Sequence, residues 1–274
     1  MSVTTYAAAK LLRVIPRVRL SRAVGRLCER KLHPVLSQNM ARAYCRAYAV
    51  DMSDVAPQDG PYASFDAFFT RALRAGARKM SDDPVVSPAD GALLASGIID
   101  PAARISVKGR RYGVGELIGD QRDALRYSGG SFAVVYLSPR DYHRVHSPVD
   151  GDVVLVRGMP GDLFPVNAIG ERYVERLFVR NNRVAISIET SSVGRVTMVM
   201  VGAVIVGRIS VTVIDAPAVP AGPHVVAPPR PVRRGDEIGI FHLGSTVVLL
   251  LEPGLSIARA PGHVLYGQSL VGGA

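Results

Sequence analysis

From residue 84 onward, the chain consists of short runs rich in Val and Ile, separated by turns of Gly, Pro and Asp. This feature constrains the fold most, because many short strands with few helices are typical of a β-sandwich or a partly closed barrel with mainly antiparallel pairing. The pattern predicts strands over residues 92–98, 104–107, 132–138, 152–157, 184–189, 195–207, 209–214, 238–241 and 246–252.

Two segments of this region resemble one another. SPADGALLASG at 87–97 and SPVDGDVVLVRG at 147–158 both place Ser-Pro-x-Asp-Gly before a predicted strand, and RRGDEIGIF at 233–241 adds another Gly-Asp turn. Carrier domains that bear biotin or lipoyl groups use similar turns, which favours a barrel-sandwich-like domain. Asp-Gly turns are also common for backbone reasons alone, so this echo by itself carries little weight.

The first 50 residues have a different composition. They hold ten Lys and Arg residues against one acid, Glu29, which gives +9, whereas residues 51–274 hold 23 basic and 22 acidic residues, which gives +1. Helical spacing runs through residues 6–50 with a break at Pro16, and further helices are predicted around 38–48 and 64–74, with Ser64 as an N-cap. The predicted fold class is α+β, mainly β. N-terminal amphipathic helices (1–50) precede a β-rich, barrel-sandwich-like domain (51–274).

A basic face follows Pro16. Arginines recur there at three- and four-residue intervals, while apolar residues fall on the opposite side; the two sets are Arg19, Arg22, Arg26 and Arg30, and Leu20, Val24 and Leu27. Such a helix either contacts anionic lipid head groups or packs on the domain with its basic face in solvent. A basic arm favours an acidic partner, which is a membrane surface or nucleic acid.

No segment is long enough to cross a bilayer as a helix. The longest apolar run, Val196–Gly207, has 12 residues, whereas a spanning helix needs ~20. Arginines interrupt the N-terminal segment, which therefore lacks the apolar core of a secretory signal. Cys28 and Cys45 are isolated, so we expect no disulfide framework and no zinc site, as in a reducing compartment. These features predict a cytoplasmic chain that contacts a membrane peripherally.

Three stretches carry side chains that could perform chemistry. They are Asp90 in SPADG, His143 and His146 in DYHRVHSP, and Ser245 in LGST, directly before the apolar run TVVLLL. A carboxylate, an imidazole and a hydroxyl are the parts of a Ser–His–Asp device, in which the base activates the hydroxyl and the carboxylate orients the base. Spacing alone does not show that they meet. Asp90 could begin a turn, the histidines could be core residues or metal ligands, and Ser245 could cap a turn.

Other catalytic motifs are missing from the sequence. It contains no GxSxG elbow, HExxH pair, Walker loop or GxGxxG that enters a helix. No third His, Cys or carboxylate joins the two histidines at metal-ligand spacing, so no metal is expected.

The joint pattern is more specific than any single residue. FFTRALRAGAR (68–78), SPADG (87–91), YHRVHSP (142–148), VGAVIVGRI (201–209) and RRGDEIGIFHLGSTV (233–247) occur in this order. Together they closely resemble the phosphatidylserine decarboxylase proenzymes, from about residue 40 to 252. Two small departures, Lys79-Met80 after GAR and Ser147 before Pro148, touch no reacting group.

The resemblance implies that the chain cuts itself between Gly244 and Ser245. The products are a beta chain, residues 1–244, and an alpha chain, residues 245–274, whose Ser245 becomes a covalent pyruvoyl cofactor. It also implies that His146 is the base that activates Ser245 and that Asp90 orients His146. His143 is then the candidate for holding the substrate carboxylate or supplying a proton.

The resemblance further implies that the pyruvoyl group forms a Schiff base with phosphatidylserine and that decarboxylation yields phosphatidylethanolamine. The expected partners are phosphatidylserine in an anionic membrane and a second copy of the cleaved pair, without nucleic acid. Two alternatives stay open. One is a pyruvoyl decarboxylase of another serine-containing lipid or a soluble amino acid, and the other is a noncatalytic barrel-sandwich carrier or binding protein, including a nucleic-acid binder that uses its arginine face.

Overall fold

The computed structural model describes residues 17–166, 173–203, 208–242 and 244–271. Within these ranges the fold is mainly β, with its two longest helices at the N-terminal end, as predicted. The helices are α1 (Arg17–Glu29), α2 (Pro34–Tyr48), α3 (Phe65–Phe69), α4 (Val114–Ile118) and α5 (Leu177–Arg180), and Asp123–Tyr127 forms a 3-10 helix. The strands are β1 (Gly91–Ile98), β2 (Arg104–Val107), β3 (Arg110–Gly113), β4 (Ser131–Leu137), β5 (Arg144–His146), β6 (Gly151–Met159), β7 (Arg183–Glu189), β8 (Arg195–Gly202), β9 (Arg208–Val211), β10 (Gly222–Val232), β11 (Glu237–His242), β12 (Ser245–Leu251) and β13 (Gly262–Val264).

One large antiparallel sheet organises the domain, in the order β10-β6-β7-β8-β12-β4-β1-β13. The sheet is open, with β10 and β13 at its edges, so the domain is layered rather than a closed barrel. A second sheet, in the order β5-β11-β9, covers one face, and the β2–β3 hairpin with the short helices covers the other. Val247 and Leu249 therefore pack towards Phe241, whereas Val248 and Leu250 pack towards Leu117.

Strand β12 lies near the middle of the large sheet. It pairs along its whole length with β8 on one side and β4 on the other, and all 7 of its residues are buried. A strand that is covered on both faces reads as a continuous apolar run instead of an alternating one. The run TVVLLL is explained by this position, which leaves Ser245 and Thr246 as the polar exceptions.

The predicted helices near residue 64 and residue 38 need correction at one end each. Ser64 does cap α3, because its Oγ accepts the backbone N–H of Ala67 at 3.1 Å. The helix ends at Phe69 instead of continuing to residue 74, because residues 72–74 form backbone hydrogen bonds and a β-bridge with residues 54–56. Helix α2 begins earlier than predicted, at Pro34, a residue whose fixed φ suits the first helical turn. The break predicted at Pro16 lies outside the described residues.

The sequence pattern did not predict four of the observed strands. The segments β5 and β13 have only three residues each, and β3 has the polar sequence RRYG. Strand β10 contains Pro228 and Pro229. Proline is excluded from central strands because it lacks the N–H donor. Here it is accommodated because β10 lies at the sheet edge and its register with β6 shifts between Val225 and Arg230.

The two Ser-Pro-x-Asp-Gly segments form matching turns that interlock. The Ser87 Oγ donates to the Ala89 carbonyl at 2.8 Å, and the Ser147 Oγ donates to the Val149 carbonyl at 2.7 Å. Each turn also bonds the other, because Val86 N–H donates to the Pro148 carbonyl (3.0 Å) and His146 N–H donates to the Pro88 carbonyl (2.8 Å). The echo in the sequence is thus a repeated structural unit, with a local two-fold relation between its copies.

Candidate functional site

One end of the large sheet gathers the segments that the sequence singled out. Ser245, the first residue of β12, pairs with Leu137 at the end of β4, and Tyr136 pairs with Ala92 at the start of β1 on the other side. Since neighbouring strands lie about 4.8 Å apart, the starts of β12 and β1 are separated by about 10 Å. The Asp90 turn, the Gly244–Ser245 step and the loop 138–143 after β4 therefore lie at the same end of the sheet.

Ser245 is buried, and none of the described residues forms a hydrogen bond with its hydroxyl. Its side chain is inaccessible, and its Oγ has no partner among the described residues; the Thr246 hydroxyl is in the same state. Leaving a buried hydroxyl unpaired costs about 1–3 kcal/mol, so such groups call for a functional explanation. Gly244 has a φ of +21°, at the edge of the region that favours glycine, and a Cβ there would meet no atom within 4 Å. Glycine is needed here for its backbone rather than for space.

His143 lies beside the strand that leads to the Gly244–Ser245 step. Its carbonyl accepts the N–H of Phe241 at 3.0 Å, and its ring packs on the Phe69 ring with centroids 4.1 Å apart. Its Nδ1 lies 2.8 Å from the Asp141 carbonyl. A carbonyl only accepts, so Nδ1 carries the proton and the lone pair is on Nε2. That nitrogen is buried and has no hydrogen-bond partner in the described part of the chain. Burial lowers the pKa of His143 to about 3, so the ring is a neutral base.

His146 is held by a different set of contacts. Its Nδ1 donates to the Gly235 carbonyl (2.7 Å), and its Nε2 accepts from the Tyr142 hydroxyl (3.1 Å). The ring stacks on Tyr266 with centroids 3.9 Å apart and an angle of 6° between the planes. Burial lowers the pKa of His146, although the hydrogen bond to Gly235 and the nearby carboxylates oppose this. His146 is therefore also neutral, with its lone pair engaged by a tyrosine.

Asp90 is buried in an ion pair. Its carboxylate accepts two hydrogen bonds from Arg78, 2.6 Å from Nη2 and 3.1 Å from Nε, and a third from the backbone N–H of Tyr266 at 2.8 Å. Both ring nitrogens of His146 are engaged elsewhere, so the structure shows no direct hydrogen bond from Asp90 to His146. The two residues are linked through Tyr266, which bonds the carboxylate with its backbone and stacks on the imidazole with its ring. The catalytic role of Asp90 stays a prediction.

Several residues of this site were missed at the sequence level. Arg78 ends the motif FFTRALRAGAR and Tyr142 begins the motif YHRVHSP, but nothing in either motif predicts their contacts with Asp90 and His146. Tyr266 carries no local signal, because only the fold brings residue 266 back to the Asp90 turn. The sequence also did not predict a separate Ser–His–Asp arrangement, formed by Ser210, His242 and Asp66. The His242 Nε2 lies 3.1 Å from the Ser210 Oγ, and its Nδ1 lies 2.8 Å from Asp66 and 3.0 Å from Arg208.

The predicted membrane-contact residues lie on or near α1. Arg26, Leu27 and Arg30 are exposed, and Val24 is half-buried. The side chains of Arg19, Leu20 and Arg22 lie outside the described part of the structure. Leu27 is 61% exposed, as are Val35 and Leu36 of α2 at 59% and 57%, so apolar side chains meet solvent beside the basic residues. The end of α1 is tied to the domain because Glu29 pairs with Arg208 at 3.3 Å.

The described residues contain no group of three or more His, Cys, Asp or Glu side chains that could hold a metal ion. None of the helices in the described ranges is long and apolar enough to span a membrane.

Comparison with known proteins gives consistent matches. The family model described as phosphatidylserine decarboxylase matches residues 65–272. A protein of Anaeromyxobacter sp. (strain K) is 38% identical over 96% of this chain and 97% of its own length. Proteins of Acidovorax ebreus (41% identical over 88% of this chain and 87% of the relative) and Myxococcus xanthus (36% over 89% of each) are similar too. Each of the three is named phosphatidylserine decarboxylase proenzyme.

Proposed function

Because this chain belongs to the phosphatidylserine decarboxylase family of carboxy-lyases, we propose that it converts phosphatidylserine to phosphatidylethanolamine with a pyruvoyl group made from its own Ser245. The observation that carries the proposal is the buried Ser245 hydroxyl directly after Gly244, which has no hydrogen-bond partner among the described residues. The name proenzyme among the relatives supports a chain that processes itself.

The proposed maturation begins with attack of the Ser245 Oγ on the Gly244 carbonyl carbon. The Gly–Ser C–N bond breaks and an ester forms in its place, while the hydroxyl proton passes to the new amine. Removal of the Ser245 Cα proton then expels the Gly244 carboxylate and leaves a dehydroalanine. Addition of water and loss of ammonia turn the dehydroalanine into the pyruvoyl group. Glycine favours the first step, because its backbone can adopt the conformation seen at Gly244.

We assign the base of this maturation to His146 and its support to Asp90, following the resemblance. Neutral His146 has its lone pair on Nε2, as a base requires, but Tyr142 occupies that lone pair. Its action on Ser245 therefore needs the Tyr142 hydroxyl to release it. His143 is neutral as well, and its Nε2 has no partner among the described residues. We assign His143 to the second stage, following the resemblance, in which it hydrogen-bonds the substrate carboxylate or supplies the proton that replaces CO2. Both tasks require a proton on Nε2, and the negative charge of a bound carboxylate beside this nitrogen favours the protonated ring.

The residues around Ser245 fit a bound pyruvoyl group and its substrate. A pyruvoyl ketone, once formed, condenses with the substrate amine and accepts an electron pair as CO2 leaves. Strand β12 fixes residue 245 between β4 and β8, and the buried His143 Nε2, near the same end of the sheet, has no hydrogen bond among the described residues. The Thr246 hydroxyl points to the opposite face of the sheet from Ser245. The buried position of residue 245 and the free His143 nitrogen can orient a small polar ligand and exclude bulk water.

We further propose that the molecule acts at the cytoplasmic face of the cell membrane as a homodimer of cleaved pairs. A phospholipid substrate stays in the bilayer, so the enzyme has to dock there. Exposed arginines near the bilayer surface contribute about 1 kcal/mol each through anionic lipids. The combination of Arg26 and Arg30 with exposed Leu27 supports docking. A soluble amino acid as substrate would leave the basic N-terminal region without a purpose, so that alternative is less favoured.

The central test is the intact mass of purified protein. We expect the wild type to give two chains, with a blocked N-terminus on the fragment 245–274. Ser245→Ala should give one uncut chain of 29.3 kDa, because the attacking hydroxyl is gone. Ser210→Ala is the matched control, since Ser210 belongs to the other Ser–His–Asp arrangement and its loss should leave cleavage unchanged. An uncut wild type, or a cut Ser245→Ala, refutes the proposal.

The two histidines are separated by their alanine variants. His146→Ala should stay uncut or cut slowly, whereas His143→Ala should cut normally and lose most decarboxylation. Cleavage kinetics followed by gel and CO2 release measured on the same samples give both quantities. The opposite outcome would exchange the two assignments.

Docking is tested in the full-length chain with vesicles. Replacing Arg19, Arg22, Arg26 and Arg30 by Gln should lower co-sedimentation with anionic vesicles and leave self-cleavage intact. Binding of the wild type should weaken at high salt and be weak on neutral vesicles. Equal binding of both proteins to anionic vesicles would show that the arginine face has no part in docking.

A further inference from the structure

Arg71 is a buried cation that forms no ion pair with any of the described residues. It is 3% exposed, and its guanidinium makes one hydrogen bond, from Nη2 to the Arg140 carbonyl at 3.3 Å. Among the described residues, its Nε and Nη1 have no hydrogen-bond partner and no acidic side chain forms an ion pair with it. The guanidinium carbon lies 5.6 Å from the centroid of the Phe68 ring, and the charge of Asp141 acts on it from beyond ion-pair distance. Burial lowers the pKa of this guanidinium, but arginine still stays protonated at neutral pH.

A second buried arginine, Arg183, has a hydrogen bond from each of its guanidinium nitrogens. Arg183 is 8% exposed, and its guanidinium donates to the carbonyls of Leu117 (3.1 Å), Glu116 (2.7 Å) and Asn181 (3.2 Å), and to that of Val179. Its nitrogens are all used, so its role is structural. A buried charge without such partners costs several kcal/mol. Arg71 is therefore suited to an anion that binds from outside the chain.

Arg71 lies next to the candidate site. The loop residue that receives its hydrogen bond, Arg140, precedes His143 by three positions, and Phe69 packs on the His143 ring. The charge of Arg71 also helps to lower the pKa of His143, so the two groups are close in space. Of the six buried side-chain atoms that lack a partner in the described residues, five belong to Arg71, His143, Ser245 and Thr246. The unpaired nitrogens of Arg71 and His143 lie close together, near the end of the sheet at which Ser245 and Thr246 begin β12.

We propose that Arg71 binds the phosphodiester of the lipid head group, an inference that rests on the function proposed above. The head group offers two anions, a phosphodiester and a carboxylate. The carboxylate loses its charge as CO2 leaves, so a fixed cation on it would stabilise the substrate more than the transition state. The phosphodiester keeps its charge throughout. A guanidinium with two free donors matches two phosphate oxygens and holds the head group in register with residue 245.

Arg71→Met tests this assignment. Charge-assisted hydrogen bonds to a phosphate of this kind correspond to a loss of about 10- to 100-fold in affinity. Because the phosphate contact is the same in substrate and transition state, KM for phosphatidylserine in detergent micelles should rise by about that factor while kcat changes little. Self-cleavage should proceed normally. Thermal stability should stay equal or rise, because the variant removes an unpaired buried charge.

Two controls separate binding from structure. Arg183→Met should lower the melting temperature, because it leaves several carbonyls unpaired. Arg140→Met, at a largely exposed side chain, should alter neither KM nor the melting temperature. Soluble head groups provide a direct probe of binding. Glycerophosphoethanolamine should raise the melting temperature of the wild type, and Arg71→Met should abolish that rise.

The outcomes that overturn the inference are distinct from those that overturn the function. A wild type that neither cuts nor decarboxylates refutes the proposed function. An active wild type with an unchanged KM in Arg71→Met refutes the phosphate assignment, as does a fall in kcat alone. If inorganic phosphate stabilises the wild type as strongly as glycerophosphoethanolamine does, that result contradicts the assignment to a lipid head group, because it shows that Arg71 binds any phosphate.

Discussion

The turns at 87–91 and 147–151 have the same backbone but different surroundings. In both, the aspartate side chain accepts a backbone N–H from a distant segment: Tyr266 for Asp90 at 2.8 Å and Arg234 for Asp150 at 3.0 Å. The bonding segments turn at Gly267 and Gly235, with φ of +85° and +86°. Yet Asp90 is buried against Arg78, whereas the Asp150 side chain is 59% exposed in its ion pair with Arg234. The motif specifies the turn, and burial decides which aspartate can influence chemistry.

Because the two turns interlock, each of them contributes one of the candidate catalytic residues. His146 occupies the position before Ser147 that Val86 occupies before Ser87, and each of these residues bonds the proline carbonyl of the opposite turn. One copy thus provides Asp90 and the other provides His146, and Tyr266 lies between them. A duplicated backbone unit with unequal side chains can therefore assemble a site that neither copy contains alone.

The largest expected difference between the turns is in self-cleavage. Asp90→Asn should slow cutting by at least about 100-fold, in the range for loss of an acid–base contribution, because the residue loses its charge next to His146. Asp150→Asn, at the equivalent backbone position, should cut at the wild-type rate. The fraction of cut chain over time after expression gives both rates. Equal rates in the two variants would mean that Asp90 serves the turn alone.

The two ion pairs should differ in their effect on folding. Arg78→Met leaves the Asp90 carboxylate buried with one backbone donor, and we expect a loss of about 3–5 kcal/mol in the free energy of unfolding. Arg234→Met removes the ion-pair partner of a carboxylate that is already 59% exposed, together with a donor to the Ser81 and Asp83 carbonyls. We expect a smaller loss, of about 1 kcal/mol. Both variants should be compared in the uncut Ser245→Ala background by urea titration. A similar loss in the two would contradict the role assigned to burial.

The shared backbone of the turns predicts an equal effect at their glycines. A Cβ at Gly91 would lie 2.3 Å from the Tyr136 carbonyl oxygen, and one at Gly151 would lie 2.3 Å from that of Glu189. Alanine at either position should cost about 1–3 kcal/mol through overpacking. Gly60→Ala, where no atom lies within 4 Å, is the control. Unequal losses at Gly91 and Gly151 would show that the turns are less alike than their hydrogen bonds indicate.

The smallest expected effect concerns pH. Burial lowers the pKa of His146 below its ordinary value of 6.5, so below that pH the unfolded chain binds a proton that the folded chain does not. The free energy of unfolding should therefore fall as pH decreases below 6.5, by up to about 1.4 kcal/mol per pH unit for this residue. His146→Val, which copies the residue at position 86, should remove that part of the slope. Parallel pH profiles for the two proteins would contradict the lowered pKa.

The sequence allowed much of this fold to be predicted, for identifiable reasons. The strands around Ser245 follow from Val- and Ile-rich runs between strong turn residues, and Ser64 was found from its capping position. Strand β10 was missed because prolines are tolerated at an edge, and an edge position depends on the whole sheet. Tyr266 and Arg71 could not be assigned roles either. Tyr266 acts through a contact between distant segments, and Arg71 stands out only because two of its buried nitrogens lack a hydrogen bond among the described residues.

The central position of β12 has a consequence for the life of the molecule after folding. Ser245 comes into place only once β4, β8 and β12 have paired, so the proposed cut reports a completed sheet and cannot precede it. After such a cut, 30 residues (245–274) would form a separate polypeptide held between two neighbouring strands. A cut molecule that unfolds would release this fragment, and refolding would then require two chains to meet. If the proposed maturation takes place, we therefore expect the mature protein to persist by unfolding slowly rather than by refolding.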